Sequence, residues 1–167
     1  RIENKLSEGF RCVKLKIGAI DFDSEMTLIK SIRKRFSKSA IELRVDANGG
    51  FTAGDAMSRL EELSKYDIHS IEQPIRQKQW HEMSYLCANT PVPVDLDEEL
   101  IGVNIPKMKD ELLYYIKPQY IVLKPTLHGG MKGTREWIEK SRERNVGSWI
   151  TSALESSVGL SAIAQLT

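Results

Sequence analysis

Charged side chains recur along the chain at the ends of short apolar segments. They are Lys14 and Lys16, then Asp46, Glu72, Asp97 and Lys124. The segments follow one another at intervals of roughly 25 to 30 residues, which is the length of a β-strand with its following helix. Residues that recur at this interval come from successive parallel strands and can meet at one face of the fold. The pattern therefore predicts an active site built from amines and carboxylates.

The carboxylates of the set are Asp46, Glu72 and Asp97. Carboxylates that converge without a counter-ion repel one another, so a hard divalent cation between them is the simplest arrangement, and oxygen ligands suit Mg²⁺. Asp95 is an alternative to Asp97 on the same strand face, but Asp97 lies nearer to the strand end. A helix N-cap or a structural ion pair would explain any single one of these carboxylates. The histidines show no metal-ligand spacing and are expected to be surface or packing residues: His69, His81 and His128.

The lysines predict proton transfer. Because side chains alternate along a strand, Lys14 and Lys16 point to the same side. A neighbouring cation in a water-poor site favours the neutral amine, so one of the pair can act as a base. A lone Lys-x-Lys motif is usually a pair of surface lysines, so it is weak by itself. Lys124 lies between an apolar strand and Pro125, where its ammonium group needs an anion such as a substrate enolate.

Strand and helix patterns alternate six times along the chain. The predicted strands cover residues 12–17, 41–45 and 68–72, a short segment ending near Asp97, and residues 120–124 and 148–152. The predicted helices begin near Ser24, after Thr52 as N-cap, near Trp80, at Pro106, at Thr134 and near Ser157. Polar residues at the end of every strand predict an α/β fold, a partial TIM-like barrel of about six consecutive βα units. An open parallel sheet remains possible from periodicity alone.

Composition excludes several function classes. The 167 residues are 41% apolar and 28% charged with a net charge of +1, and no basic tract indicates nucleic acid or an anionic membrane as a partner. No apolar run approaches the roughly 20 residues that span a bilayer. A complete barrel takes roughly 250 residues, so residues 1–167 are expected to be one incomplete barrel domain. Cys12 and Cys87 lack disulfide spacing, are predicted to be core thiols, and favour a reducing, cytoplasmic location.

These residues resemble the barrel domain of the enolase superfamily, specifically its muconate-lactonizing subgroup. The resemblance covers the whole chain. Its motifs are Val13-Lys14-Leu15-Lys16, Val45-Asp46-Ala47-Asn48, Ile71-Glu72-Gln73-Pro74, Asp97-Glu98 and Leu123-Lys124-Pro125. The resemblance implies a small carboxylate substrate, Mg²⁺ held by Asp46, Glu72 and Asp97, and a capping domain that this chain lacks. It leaves the oligomeric state open.

Within the subgroup, residues 151–160 and Pro125-Thr126-Leu127 are similar to the o-succinylbenzoate synthases. The likeness implies a Mg²⁺-dependent dehydratase of menaquinone biosynthesis that acts on a hydroxycyclohexadiene carboxylate (SHCHC). The reaction is α-proton abstraction and syn elimination through an enediolate. An N-acylamino-acid racemase or dipeptide epimerase is the alternative within the superfamily. A catalytically incompetent barrel fragment is the second alternative.

The resemblance also implies a role for each polar residue of the motifs. Lys16 would be first base and then acid, and Lys124 would stabilise the intermediate from the opposite face. Lys14 would make Lys16 more acidic and hold the substrate carboxylate. Asn48 and Glu98 would support the metal ligands without binding the metal themselves, and Thr126 and Ser152 would contact the substrate.

Overall fold

The computed structural model describes residues 2–167, in which strands and helices alternate. The strands are β1 (Cys12–Lys16), β2 (Glu42–Asp46), β3 (Ile68–Glu72), β4 (Val94–Leu96), β5 (Tyr120–Leu123) and β6 (Gly147–Ile150). The α-helices are α1 (Ile2–Ser7), α2 (Phe22–Arg35), α3 (Ala56–Ser64), α4 (Trp80–Asn89), α5 (Pro106–Ile116), α6 (Gly130–Arg142) and α7 (Ser157–Ala164). Short 3₁₀ helices, Glu98–Leu100 and Pro125–Leu127, follow β4 and β5. The predicted succession of six βα units is confirmed.

The sheet is parallel, and each strand pairs with the next one along the chain from β1 to β6. An open doubly wound sheet would reverse its strand order midway, and this sheet does not. It is also strongly curled. The Arg44 guanidinium carbon of β2 lies 4.0 Å from the ring centroid of Trp149 on β6, although four strand spacings of about 4.8 Å would separate these strands by roughly 19 Å in a flat sheet.

The two faces of the curled sheet differ in polarity. The outer face packs under the helices through side chains that are buried on both sides of the contact: Leu43, Val45, Ile71, Ile121 and Leu123 from strands, and Ile29, Leu60, Leu63, Met83, Leu86, Leu112 and Trp137 from helices. The inner face carries the charged residues, because side chains alternate along each strand. The half-barrel therefore presents its amines and carboxylates on the concave side.

Two predicted helix starts are wrong, and both errors are local. Thr52 is not the N-cap of α3; Asp55 precedes the helix, and its carboxylate accepts hydrogen bonds from the Thr52 N–H at 2.8 Å and hydroxyl at 2.9 Å. Thr52 therefore lies in the turn before the helix. Helix α6 begins at Gly130, one turn before Thr134, because Gly129 in the left-handed region (φ 82°) precedes it directly.

The prediction that both cysteines are core thiols is half correct. Cys87 is buried on α4, whereas Cys12 is exposed on β1. Cys12 has the same parity as Lys14 and Lys16, so it lies on the polar inner face of the strand and not under the helices. In the described part of the chain, no helix has the length and apolar character needed to cross a membrane.

Candidate active site at the carboxyl ends of the strands

Three buried carboxylates stand on three consecutive strand ends. Asp46 closes β2 and Glu72 closes β3, and the two are register partners in the parallel ladder. Asp97 follows β4 directly. All three residues are at most 1% exposed. Each of these strands therefore places its carboxylate at the same end of the half-barrel, as the spacing predicts.

Lysine ammonium groups neutralise these carboxylates from two sides. Lys14 Nζ donates to Glu72 Oε2 at 2.7 Å and lies 3.3 Å from Asp46 Oδ2. Lys16 Nζ pairs with the same Asp46 oxygen. Lys124, which follows β5, pairs with Asp97 Oδ2. The amines of β1 therefore flank the carboxylates on one side, and Lys124 flanks them on the other.

The carboxylates influence one another electrostatically. Burial raises the pKa of Glu72 to about 7; the hydrogen bond from Lys14 opposes this rise, while the charges of Asp46 and Asp97 add to it. Burial also acts to raise the pKa of Asp46, but the hydrogen bond from Lys16 and the charges of both lysines outweigh it, so that pKa is lowered. Glu72 is therefore harder to ionise than an ordinary glutamate, whereas Asp46 is easier to ionise than an ordinary aspartate.

The Lys14 ammonium group is the stable form in this arrangement. Burial alone would lower the pKa of Lys14, but its hydrogen bond to Glu72 and the charges of Glu72 and Asp46 raise it. Lys14 is therefore a cation that can bind an anionic group. Lys16 is more exposed, with 64% of its side chain accessible against 41% for Lys14.

The donor set fits a divalent cation in its chemistry. Asp97 Oδ1 is buried and has no hydrogen-bond partner in the described residues. The pKa of Glu72 is raised mainly by burial, and the charges of Asp46 and Asp97 add to the rise; a cation between the carboxylates would offset both effects. As the side chains stand in residues 2–167, no group of three acidic, histidine or cysteine residues forms a complete metal cluster. The lysine ammonium groups contact the carboxylate oxygens instead.

Asp95 occupies a different position from Asp97. It is a register partner of Glu72, lies one pleat deeper in the half-barrel and is 1% exposed. Ser70 Oγ donates to its Oδ2 at 3.1 Å, and burial raises its pKa to about 7. Asp97, by contrast, contacts Lys124. Asp97 as the third metal ligand, with Asp95 as its alternative, stays a prediction.

The four supporting residues separate into two groups. Asn48 Oδ1 accepts from Lys16 Nζ at 2.6 Å, and Asn48 Nδ2 donates to Glu98 Oε1 at 2.7 Å. Asn48 and Glu98 therefore form a chain of hydrogen bonds that ends on Lys16. On the opposite side, the Thr126 hydroxyl donates to Glu155 Oε1 at 2.7 Å. Ser152 is half-buried in the loop after β6.

Three residues of this region were missed by the sequence interpretation. Glu155 also accepts the N–H of Ala153 at 2.6 Å, so it ties the loop after β6 to the loop after β5. His128 is fully buried, and its Nδ1 accepts the backbone N–H of Lys124 at 2.9 Å. Gln73 is fully buried next to Glu72. Gln73 and Glu155 both lie in the segments that carried the resemblance, but their partners could be known only from the folded chain.

Comparison with known proteins agrees with this geometry. The family model described as "Enolase C-terminal domain-like" matches residues 1–167. The chain belongs to this family. Within the family, it is 57% identical over 167 residues to an o-succinylbenzoate synthase of Desulfotalea psychrophila, covering all of the chain and 45% of that protein. Membership confirms the predicted superfamily and the partial barrel.

A solved structure and a second relative give the extent of the similarity. The crystal structure of MenC from Desulfotalea psychrophila LSv54 superimposes with a TM-score of 0.95 at 55% identity, covering 99% of this chain and 46% of that one. An L-Ala-D/L-Glu epimerase of Bacillus subtilis is 28% identical over 164 residues, covering 97% of the chain and 44% of that protein. The chain thus spans about half the length of the relatives that it matches.

Proposed function

We propose that the protein is an o-succinylbenzoate synthase, a Mg²⁺-dependent dehydratase that converts SHCHC to o-succinylbenzoate in menaquinone biosynthesis. The observation that carries the proposal is the 57% identity to an o-succinylbenzoate synthase over all 167 residues. The grouping of three buried carboxylates between lysines supports it. The substrate is a small carboxylate, and we propose the cytoplasm, where thiols stay reduced, as the location.

Lys16 is the residue that we propose moves the proton. Its amine, when neutral, takes the proton α to the substrate carboxylate, and the electron pair of the broken C–H bond is delocalised into that carboxylate. The resulting ammonium group then gives its proton to the departing β-hydroxyl, which leaves as water. The base is regenerated, and the product differs from the substrate by one molecule of water. Asn48, which accepts from Lys16 Nζ, holds the amine in place.

The other lysines stabilise negative charge. Lys14 lies between Asp46 and Glu72 on the same strand face as Lys16, where its cation can bind the substrate carboxylate. Lys124 lies on the far side of the carboxylates beside Asp97, where its cation faces the anion that forms when the proton leaves. Asp46, Glu72 and Asp97 are the residues that would hold Mg²⁺. When bound, Mg²⁺ supplies a fixed positive charge for the substrate carboxylate.

The test is a direct assay of the purified protein with SHCHC and Mg²⁺, in which the appearance of the aromatic product is followed by absorbance. We expect turnover that is lost on chelation and restored by Mg²⁺. The matched control is the Lys16→Ala variant, which should bind Mg²⁺ without turnover. Absence of product from the Mg²⁺-loaded protein would overturn the proposed function.

An epimerase is a second candidate because the 28% identity to the L-Ala-D/L-Glu epimerase extends over 164 residues. In that reaction Lys16 and Lys124 would transfer a proton across the α carbon from opposite faces. The flanking positions of the two lysines suit either reaction. Incubation of N-acylamino acids and dipeptides in D₂O distinguishes them, because an epimerase incorporates deuterium at the α carbon without eliminating water.

A further inference from the structure

Gln73 occupies an unusual position immediately after the carboxylate of Glu72. It is fully buried, and its backbone is in the left-handed region with φ 42°. A residue other than glycine adopts this conformation at an energetic cost, so the surrounding contacts must hold it there. Gln73 and Pro74 belong to a motif that carried the family resemblance, but the proposed reaction assigns Gln73 no role.

Both ends of the Gln73 side-chain amide are hydrogen-bonded to backbone groups. Its Oε1 accepts the N–H groups of Asp97 and Glu99, each at 3.2 Å, and its Nε2 donates to the carbonyl oxygen of Ile75 at 3.0 Å. The acceptor and donor ends of the amide have different partners, so the side chain has one satisfied orientation.

The backbone of Gln73 joins the neighbouring strand ends as well. Its N–H donates to the carbonyl oxygen of Asp95 at 2.8 Å, and its carbonyl oxygen accepts the N–H of Gly49 at 2.7 Å. Gly49 belongs to the turn that follows Asp46. One residue therefore contacts the chain beside each of the three carboxylates: it follows Glu72 directly, and it is hydrogen-bonded to the segments that carry Asp46 and Asp97.

Asp97 depends on this contact more than the other two carboxylates. It lies just beyond β4, which ends at Leu96, and its N–H donates to Gln73 Oε1. Its Oδ2 contacts Lys124, while its Oδ1 is buried without a hydrogen-bond partner in the described residues. The Gln73 amide therefore contacts the backbone from which the Asp97 side chain extends.

We propose that Gln73 is the positioning residue of the carboxylate set, and that its side-chain amide holds Asp97 in the place needed for a divalent cation. The inference rests on the proposed function for the identity of the cation. Residues that orient metal ligands typically change metal affinity by about 10- to 100-fold when they are replaced. We expect a change of this size for Gln73.

Gln73→Met is the test variant, because methionine has a similar length and an unbranched side chain but lacks the amide. Gln119→Met is a matched control. The Gln119 side-chain amide also bridges two backbone groups, at the other end of β4. Its Oε1 accepts the N–H of Val94 at 2.9 Å, and its Nε2 donates to the carbonyl oxygen of Cys87 at 2.9 Å. Both variants lose one bridging amide, but only Gln73→Met affects the carboxylate end.

Two measurements on the full chain decide the matter. In calorimetric titration with Mg²⁺, Gln73→Met should bind at least tenfold more weakly than the unsubstituted protein, and Gln119→Met within twofold of it. In hydrogen exchange without metal, Gln73→Met should lose protection at the Asp97 and Glu99 amides, and Gln119→Met at Val94. Gln73→Glu, when its carboxyl group is protonated, keeps an acceptor oxygen for these two N–H groups and a hydroxyl donor for the Ile75 carbonyl oxygen. At a pH low enough to protonate it, this variant should therefore restore protection at Asp97 and Glu99.

The outcomes separate this inference from the proposed function. If Gln73→Met is folded by circular dichroism and keeps both Mg²⁺ affinity and amide protection, the positioning role is overturned while the dehydratase proposal stands. Equal losses of Mg²⁺ affinity in Gln73→Met and Gln119→Met would also overturn it, because the effect would then be general destabilisation. If the unsubstituted protein binds no Mg²⁺, the proposed cofactor fails, and exchange at Asp97 and Glu99 alone decides whether Gln73 positions this segment.

Discussion

Protonation of His128 should destabilise the fold as the pH falls. The imidazole is fully buried, and its Nδ1 accepts the backbone N–H of Lys124 at 2.9 Å. The proton of the neutral ring is therefore on Nε2, which is buried without a hydrogen-bond partner in the described residues. Burial lowers the pKa of His128 from 6.5 to about 4; the charge of Asp97 opposes the shift, and those of Lys124 and Lys109 add to it.

The magnitude follows from these two pKa values. The folded state favours neutral His128. The contribution of this residue to the free energy of unfolding is therefore complete above the unfolded-state pKa of 6.5 and is lost as the pH falls towards 4. At pH 4.5 the unfolded chain is almost fully protonated at this residue while the folded chain is mostly neutral. The difference amounts to about 2.5 kcal/mol of unfolding free energy.

His128→Asn removes the titration but keeps an acceptor for the Lys124 N–H, because Asn Oδ1 can replace Nδ1. The free energy of unfolding in urea is measured for both metal-free proteins between pH 7.5 and pH 4.5. At pH 7.5 the variant should be less stable, by about 1–2 kcal/mol for lost packing. By pH 4.5 the difference should shift in favour of the variant by about 2.5 kcal/mol.

Other groups titrate in both proteins, so they cancel in this difference. His128→Leu provides a second comparison, because it leaves the Lys124 N–H without its acceptor and should be less stable than His128→Asn by about 1–3 kcal/mol at pH 7.5. A difference between the unsubstituted protein and His128→Asn that stays within about 0.5 kcal/mol from pH 7.5 to pH 4.5 would refute the reasoning.

Three further substitutions test the site and its support. Lys16→Ala should lower turnover by about 10²- to 10⁴-fold with little change in calorimetric Mg²⁺ affinity, and residual activity within about tenfold would exclude Lys16 as the base. Asp97→Asn should weaken Mg²⁺ binding while Asp95→Asn should not; the reverse result would make Asp95 the ligand. Lys109→Met should lower the free energy of unfolding by about 2 kcal/mol without affecting Mg²⁺ titration, because the buried ammonium group donates to the Gly133 carbonyl oxygen and to Glu136, and to none of the three carboxylates of the site; unchanged stability in urea would contradict this.

The strand and helix order was predictable because it depends on local periodicity. Alternation in β1 places Lys14 and Lys16 on one face, and the recurring βα length brings Asp46, Glu72 and Asp97 to one end of the sheet. Thr52 was assigned wrongly because its N–H and hydroxyl donate to Asp55, three residues later, and the helix begins only after Asp55. Local signals identify a helix start only to within a few residues.

Contacts between distant parts of the chain could not be predicted in this way. The curl of the sheet brings Arg44 to Trp149, and nothing in either strand specifies that meeting. From the sequence, Gln73 had no role beyond its place in a motif, and His128 was predicted to be a surface or packing residue. Their roles depend on which backbone N–H groups lie opposite them after folding.

The amino-acid sequence alone specified the alternation of strands and helices, the end of the barrel at which the charged side chains meet, and the residue types suited to binding a cation and to acting as a base. These features follow from side-chain periods of two and 3.6 residues, which are local properties of the backbone. Tertiary structure was needed to establish which ammonium group meets which carboxylate, that Cys12 is exposed, and that Gln73 supports Asp97. Those facts depend on sheet curvature and loop conformation, through which residues far apart in the chain come within hydrogen-bonding distance.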